Sequence, residues 1–300
     1  MPPAALPRRF DPDRHQWGLD PAAFDPAWYE RVAREVGRLY GGRSWFRLSV
    51  KGWEHIPPQP ALMVSNHSGG TSIPDVWGFM IAWMRHFDAG RILHPLAHDL
   101  IFALGSVAES FARLGVLRAR PEVGERVLTE WRRDVLVCPG GDRDTWRPHR
   151  DRYRVTFAGR RGYARLALRT GIPVTPVANA GAHDSLLVLT DGQAIARALR
   201  LPELFRAEIF PVHLSMPWGL AVGPLPHIPL PVHLRYRIGP LVPFPDGWTG
   251  GEPSKEAIDA YDVRVIAAIQ ALLDELEAEE VPLRERARRV ISEGVRRLAI

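Results

Sequence analysis

Val64-Ser65-Asn66-His67-Ser68-Gly69-Gly70-Thr71-Ser72-Ile73-Pro74-Asp75 follows without a break from the apolar run at residues 61–64 and leads into an apolar-periodic stretch at residues 76–85. The run predicts a strand and the periodic stretch a helix, so the tract is a strand-to-helix connection. It places a histidine just beyond the strand, beside a glycine pair that lets backbone approach a ligand closely. An imidazole there is suited to act as a general base. The same residues also suit a polar turn whose Asn, Ser and Asp side chains satisfy local backbone groups.

Working outward, short apolar runs at 135–138, 174–177 and 232–238 read as further strands. Helical stretches are predicted at 100–114, 122–132 and 162–169. Strands alternating with helices imply an α/β fold, a single domain whose central, mostly parallel or mixed sheet is flanked by helices. Residues 1–46 read as an irregular segment followed by an amphipathic helix at 28–40. Residues 47–250 form the α/β domain, and 251–300 a C-terminal helical extension. The extension holds one helix from the N-cap Ser254 to about 280 and a second, basic amphipathic helix after Pro282. Both terminal amphipathic helices have the composition to rest on an anionic membrane or to pack on their own domain.

A chain of 300 residues, 46% hydrophobic, is long enough to bury a full core. Its one cysteine, Cys138, excludes an internal disulfide and fits a reducing compartment. No secretory h-region is evident near the N-terminus, and no apolar window reaches spanning length. The best candidate, residues 214–234, is interrupted by Pro217, Pro224, Pro226, Pro229 and Pro231 and reads as an apolar surface or loop. Net charge is +5, and Lys51 and Lys255 are the only lysines. Between Arg113 and Arg169 stand 15 Arg against 7 Asp plus Glu, so that stretch is expected to face an anionic partner or to form a solvated basic face.

A second motif, Leu136-Val137-Cys138-Pro139-Gly140-Gly141-Asp142-Arg143-Asp144, again ends a strand in a tight turn that presents charge. Between the two motifs lies Leu114-Gly115-Val116-Leu117-Arg118-Ala119-Arg120, and after them Gly171-Ile172-Pro173-Val174-Thr175-Pro176-Val177. This ordered set resembles the four blocks of the glycerolipid acyltransferase superfamily, which includes lysophosphatidic acid acyltransferases, diacylglycerol acyltransferases and plant phytyl ester synthases. In motif style it is most similar to the diacylglycerol acyltransferase and phytyl ester synthase branch. The resemblance spans about residues 51–245.

The resemblance implies an O-acyltransferase that moves a fatty acyl group from a thioester, on CoA or acyl carrier protein, to a lipid hydroxyl. It implies His67 as general base oriented by Asp75, and Gly69 and Gly70 as oxyanion donors. Arg118, Arg120, Arg143, Gly140 and Gly141 are implied to bind substrate phosphates. No metal and no resident cofactor are required, the thioester being a substrate. The expected partners are that donor, a lipid alcohol acceptor and a membrane surface, in a cytoplasmic protein held peripherally at the inner face. The resemblance leaves oligomeric state open, and nucleic acid is not expected, because aromatics do not interleave with the Arg cluster.

Two departures stand out. Seven residues separate His67 from Asp75 where the family has four. On a continuous helix that offset spans about 12 Å, so a dyad requires 68–74 to fold back as a loop. The Gly140–Gly141 pair also stands where a glutamate associated with phosphorylated acceptors is usual, which weakens the case for such acceptors.

Other constellations carry other chemistries. Cys138 near His67 would make a thioesterase. His94, His98 and Asp99 have a ligand-like spacing interrupted by Pro95, which argues against a metal. His183-Asp184 reads as a polar loop near the pocket mouth. The competing class is a non-catalytic α/β protein that holds anionic lipid. It accounts for the arginines, but not for a histidine between a strand and a Gly-Gly turn.

Overall fold

The computed structural model describes residues 17–280 apart from 43, 104 and 202–207. The second C-terminal helix expected after Pro282 lies outside the described residues, as do residues 1–16.

Seven strands form the main sheet: β1 (Arg47–Lys51), β2 (Leu62–Ser65), β3 (Leu93–Ala97), β4 (Leu117–Arg118), β5 (Asp134–Val137), β6 (Val174–Ala180) and β10 (His233–Ile238), in the order β1-β10-β6-β2-β5-β3-β4. Each neighbouring pair is parallel except β10 against β6. The central strands β2 and β6 are buried along their whole length. Their continuous apolar runs, in place of alternation, follow from being covered on both faces. Alternation survives in which cover each side chain meets. Leu62 and Val64 pack toward α4 (Pro121–Thr129), α6 (Gly162–Thr170) and α8 (Lys255–Ala278). Ala61 and Met63 pack toward α2 (Pro74–Phe87). A further cluster joins α1 (Pro26–Gly37) to α3 (Gly105–Arg113) through Tyr29, Met80, Ala108 and Ala112. The expected α/β class with a mostly parallel mixed sheet is the observed one.

Local signals set the helix ends. Asp25 accepts the Ala27 and Trp28 N–H groups at 3.0 and 3.1 Å to cap α1, and Ser254 accepts from Ala257 at 3.2 Å to cap α8. Within α8, Tyr261 donates its hydroxyl to the Val242 carbonyl and accepts the Val174 N–H, and Val265, Ile269 and Leu273 are fully buried. The helix expected to begin a C-terminal extension is thus a layer of the α/β body.

The structure corrects three expectations. The helix expected at 100–114 is a 3-10 turn, Asp99–Ala103, and then α3. His94 and Pro95 lie on strand β3, where proline disturbs no helix. The proline-interrupted tract holds two strands, β8 (Val212–Ser215) and β9 (Gly219–Val222), which join β7 (Leu187–Thr190) in a separate antiparallel sheet. A short helix, α7 (Gln193–Ala198), lies in the chain between β7 and β8. Prolines punctuate the turns of this tract and leave the alternating segments between them free to pair.

The arginine surplus is also resolved by tertiary structure. Carboxylates from outside the counted stretch return to it: Asp25 to Arg113, Asp99 to Arg118 and Arg120, Glu208 to Arg143, Glu280 to Arg152 and Asp262 to Arg161. A local excess of one sign is neutralised across the fold, and a largely solvated basic face is not what results.

Candidate functional site

Parallel pairing aligns the two turn motifs. Val64 is opposite Val137, so His67 and Gly140, each three residues further on, emerge at the same edge of the sheet. That is the carboxyl end of the strands, where open α/β sheets offer their crevice.

The connection from β2 to α2 does fold back. Gly69 has φ +97° and Gly70 φ +63°, and a Cβ on Gly69 would stand 2.5 Å from the Pro74 ring. Pro74 then starts α2 at a position where no N–H is needed, and Asp75 sits in its first turn, favoured there by the helix dipole. The result is a distance of 2.7 Å from His67 Nδ1 to Asp75 Oδ2. The same oxygen accepts the Ser68 N–H at 2.8 Å. A carboxylate oxygen only accepts, so Nδ1 carries the hydrogen and Nε2 is left as the basic nitrogen. Tyr236 donates its hydroxyl to the Asp75 carbonyl at 2.7 Å, fixing the start of α2 against β10. Burial and the nearby Asp75 charge hold that phenol well above its ordinary pKa.

Two supports were not legible in the sequence. Asn66 and Asn179 clasp each other across β2 and β6: Asn179 N–H donates to Asn66 Oδ1 at 2.8 Å, Asn66 Nδ2 to the Asn179 carbonyl at 2.9 Å, and Asn179 Nδ2 to the Asn66 carbonyl at 2.7 Å. Ser68 Oγ adds a bond to Asn179 Oδ1 at 2.9 Å. Second, Asp144, in the short helix α5 (Gly141–Thr145), accepts the His67 N–H and pairs with Arg147, both side chains being buried. Burial pushes the Arg147 guanidinium down to about 10. His183 is buried rather than at a pocket mouth, at 3.1 Å from the Arg147 carbonyl, and burial lowers its pKa well below the ordinary value.

His67 lines a partly open cavity of about 200 Å³. Its walls are largely apolar and come from α2 (Val76, Trp77, Met80), β3 (Leu96) and the α3 region (Phe111, Val116), not from the proline-rich tract. A second cavity of about 340 Å³ shares Leu96, His98, Cys138 and Gly141 with the first, and Arg120 and Arg160 stand in its wall. Of the expected phosphate ligands, Arg120 borders that cavity and, with Arg118, pairs with Asp99 at 3.2 and 3.0 Å. Arg143 turns to Glu208 at 2.6 Å.

Arg160, which is not among the sequence-predicted site residues, packs against the Gly140–Gly141 turn, where a Cβ on Gly140 would stand 2.5 Å from the Thr156 carbonyl oxygen. A Cβ on Gly141 would stand 2.4 Å from Arg160 Nη1, which donates to the Gly140 carbonyl at 2.7 Å. A side chain at 141 would require this guanidinium to shift. Cys138 borders both cavities, but burial and the Asp75 charge raise its thiol well above the ordinary pKa, the opposite of what a nucleophile requires. His94 is fully buried on β3, and among the described residues no three His, Cys, Asp or Glu side chains gather as a metal site.

Residues 47–180 match the family model described as Acyltransferase. An uncharacterized protein of Mycobacterium tuberculosis is 31% identical over 226 residues, covering 74% of this chain and 59% of its own length. A Gallus gallus protein described as a "DGAT1/2-independent enzyme synthesizing storage lipids" is 26% identical over 261 residues, 87% of this chain and 69% of that one. These similarities support placing the chain in the glycerolipid acyltransferase superfamily. It spans about three-fifths of the length of the mycobacterial relatives it matches. The 1-acyl-sn-glycerophosphate (LPA) acyltransferase PlsC from Thermotoga maritima superposes with a TM-score of 0.48 at 18% identity, over 85% of this chain and 83% of that one. The matched residues include both the His67–Asp75 connection and the Pro139–Arg143 turn.

Proposed function

We propose that this protein transfers a fatty acyl group from a thioester of CoA or acyl carrier protein to the hydroxyl of a lipid alcohol. The observation that carries the reading is the 2.7 Å contact between His67 and a buried carboxylate at the edge of a largely apolar cavity. His67 Nε2 takes the proton of the acceptor hydroxyl as its oxygen attacks the thioester carbonyl. The charge moves to the carbonyl oxygen, for which the turn at Gly69 and Gly70 is the proposed source of backbone donors. As the C–O double bond re-forms, the C–S bond breaks, and the departing thiolate recovers the proton from the imidazolium. Ester and free thiol result, with no covalent enzyme intermediate and no resident cofactor.

The acyl chain suits the apolar cavity. Phosphates of the carrier or of the acceptor suit the second cavity, where Arg120 stands beside Arg160, with Arg118, Arg143 and the Gly140–Gly141 turn close to this region. A Gly-Gly pair at 140–141, with no acidic side chain there, supports an acceptor other than a phosphorylated glycerol. No helix among the described residues is long and apolar enough to cross a membrane, so contact with lipid is proposed to be peripheral, at the cytoplasmic face.

The test is product analysis by mass spectrometry after incubation with an acyl-CoA and a mixed lipid extract, with parent protein beside a folded His67→Ala variant. New ester and free CoA from the parent alone are expected. Equal turnover by both proteins would remove the mechanism, and no ester on any acceptor would return the chain to a lipid-binding role.

A further inference from the structure

The small sheet β7-β8-β9 is inside out. Leu187, Leu214 and Leu220 lie side by side across its three strands, and the adjoining row is Val188, His213 and Ala221. The row turned inward is the one containing the histidine: His213 is fully buried, its ring 4.9 Å from Trp146 and its Nε2 3.1 Å from the Gly223 carbonyl. The leucine row is turned outward, with Leu189, Met216 and Val222 on the same exposed side. Leu220 is 64% exposed and Met216 51%. A slip of one residue would bury the leucines and expose the histidine. The hydrogen bond of His213 holds the register that does the reverse. Single exposed leucines are ordinary, but a contiguous apolar face of this kind marks a surface that meets something.

We infer that this face inserts into the hydrocarbon margin of a lipid bilayer. Between Glu208 and Arg235 the sequence contains no Asp, Glu, Lys or Arg, so nothing on this stretch resists leaving water. The strap after β9 carries Pro224, Pro226, Pro229 and Pro231, which have no N–H to desolvate. Of the N–H groups between them, Leu225 donates to the Gly223 carbonyl, Ile228 to Met216 and Leu230 to Ser185. Three of the four N–H groups between these prolines are thus paired, which lowers the cost of a medium that offers no hydrogen bonds. Trp218 and Trp45, both about half exposed, donate their indole N–H groups to the strap carbonyls of Pro226 and Pro229. Their rings have the amphipathic character found at bilayer interfaces. A protein-binding patch would instead carry a charged, polar rim.

The strap is also tied to the candidate site. Thr71 Oγ donates to the Leu225 carbonyl at 3.2 Å and Ser72 Oγ to the His227 carbonyl at 2.9 Å, both from the loop between His67 and Asp75. Insertion therefore brings that loop to the lipid surface. The inference goes beyond the acyl-transfer reading and stands without it.

The experiment is flotation of the full chain with phosphatidylcholine vesicles, without acyl donor, for the parent, for Leu214→Glu/Leu220→Glu and for Leu214→Phe/Leu220→Phe. These side chains point outward, so circular dichroism should report an unchanged fold. The parent and the Phe variant should float, insensitively to salt, and the Glu variant should bind weaker by about tenfold or more. Failure of the parent to bind, or equal binding by the Glu variant, overturns the inference. So does a parent dimer in analytical ultracentrifugation that the Glu variant dissolves, because the face would then belong to a second copy. Turnover of a water-soluble alcohol with a short acyl-CoA should be unchanged in the Glu variant, so a failed insertion and a failed chemistry are read separately.

Discussion

Asp144 Oδ2 accepts the main-chain N–H of His67 at 2.5 Å, while its other oxygen pairs with the buried guanidinium of Arg147. One carboxylate thereby joins the turn after β5 to the turn after β2. Asp144→Asn leaves Arg147 as a buried charge without its counter-ion, a change that costs about 3–5 kcal/mol. Replacing the pair with apolar residues, Asp144→Leu/Arg147→Met, should recover much of that stability. It should not recover turnover, because the His67 N–H then has no acceptor. Urea midpoints and kcat measured on the same three proteins check this; recovery of both together would show that Asp144 only stabilises the fold.

Gly69 makes the long His–Asp spacing workable. Its φ is +97°, and a Cβ there would come within 2.5 Å of the Pro74 ring, which leaves no room for a side chain. Gly69→Ala should destabilise the protein by about 1–3 kcal/mol. It should also lower kcat more than it raises KM, because the loop can no longer return Asp75 to His67. Gly159, with φ +74° in open space, is the control: Gly159→Ala carries backbone strain alone and should leave kcat unchanged.

The same pair of turns marks what the sequence made legible. Buried strands and their glycine turns announce themselves locally, so β2, β5, β6, β10 and the His67 and Gly140 motifs were readable from runs of a few residues. β3 was not, because a histidine and a proline interrupt its apolar run, although both are accommodated in a buried parallel strand. Supports that depend on distant pairing were also hidden. Asn66 meets Asn179 across 113 positions, and His67 meets Asp144 across 77. Nothing at either end signals the partner. The arginine-rich stretch hid its pairing for the same reason, since its counter-ions Asp25, Asp99, Glu208, Asp262 and Glu280 arrive from distant parts of the chain.

Met80 lies on α2 in the wall of the apolar cavity and is itself buried. If the acyl chain occupies that cavity, Met80→Phe reduces the space available to it. The preferred acyl-CoA should become shorter, with kcat/KM for long chains falling by about tenfold or more relative to short ones. Competition assays with acyl-CoA mixtures report this ratio directly. An unchanged chain-length profile would move the acyl site elsewhere.

His94 gives the protein a pH dependence unrelated to catalysis. Its ring is fully buried on β3, donating from Nδ1 to the Gly115 carbonyl at 2.8 Å, and burial pushes its pKa down to about 4. An unfolded chain holds the same proton with a pKa of about 6.5. Between those values the unfolded state binds more protons than the folded one. Stability is therefore full above about pH 6.5, falls as the pH drops and levels off below about pH 4, a total loss of about 3 kcal/mol from this residue. His183, lowered by burial as well, acts in the same direction. The carboxylates of Asp25 and Asp99 are held below their ordinary range, by the hydrogen bond from Arg113 in one case and against the pull of burial by Arg118 and Arg120 in the other, and their contribution is lost at lower pH. Urea unfolding at a series of pH values from 7.5 to about 4.5 should show a shallower decline for His94→Gln than for the parent. Identical slopes would mean that His94 is protonated at no cost in the folded state.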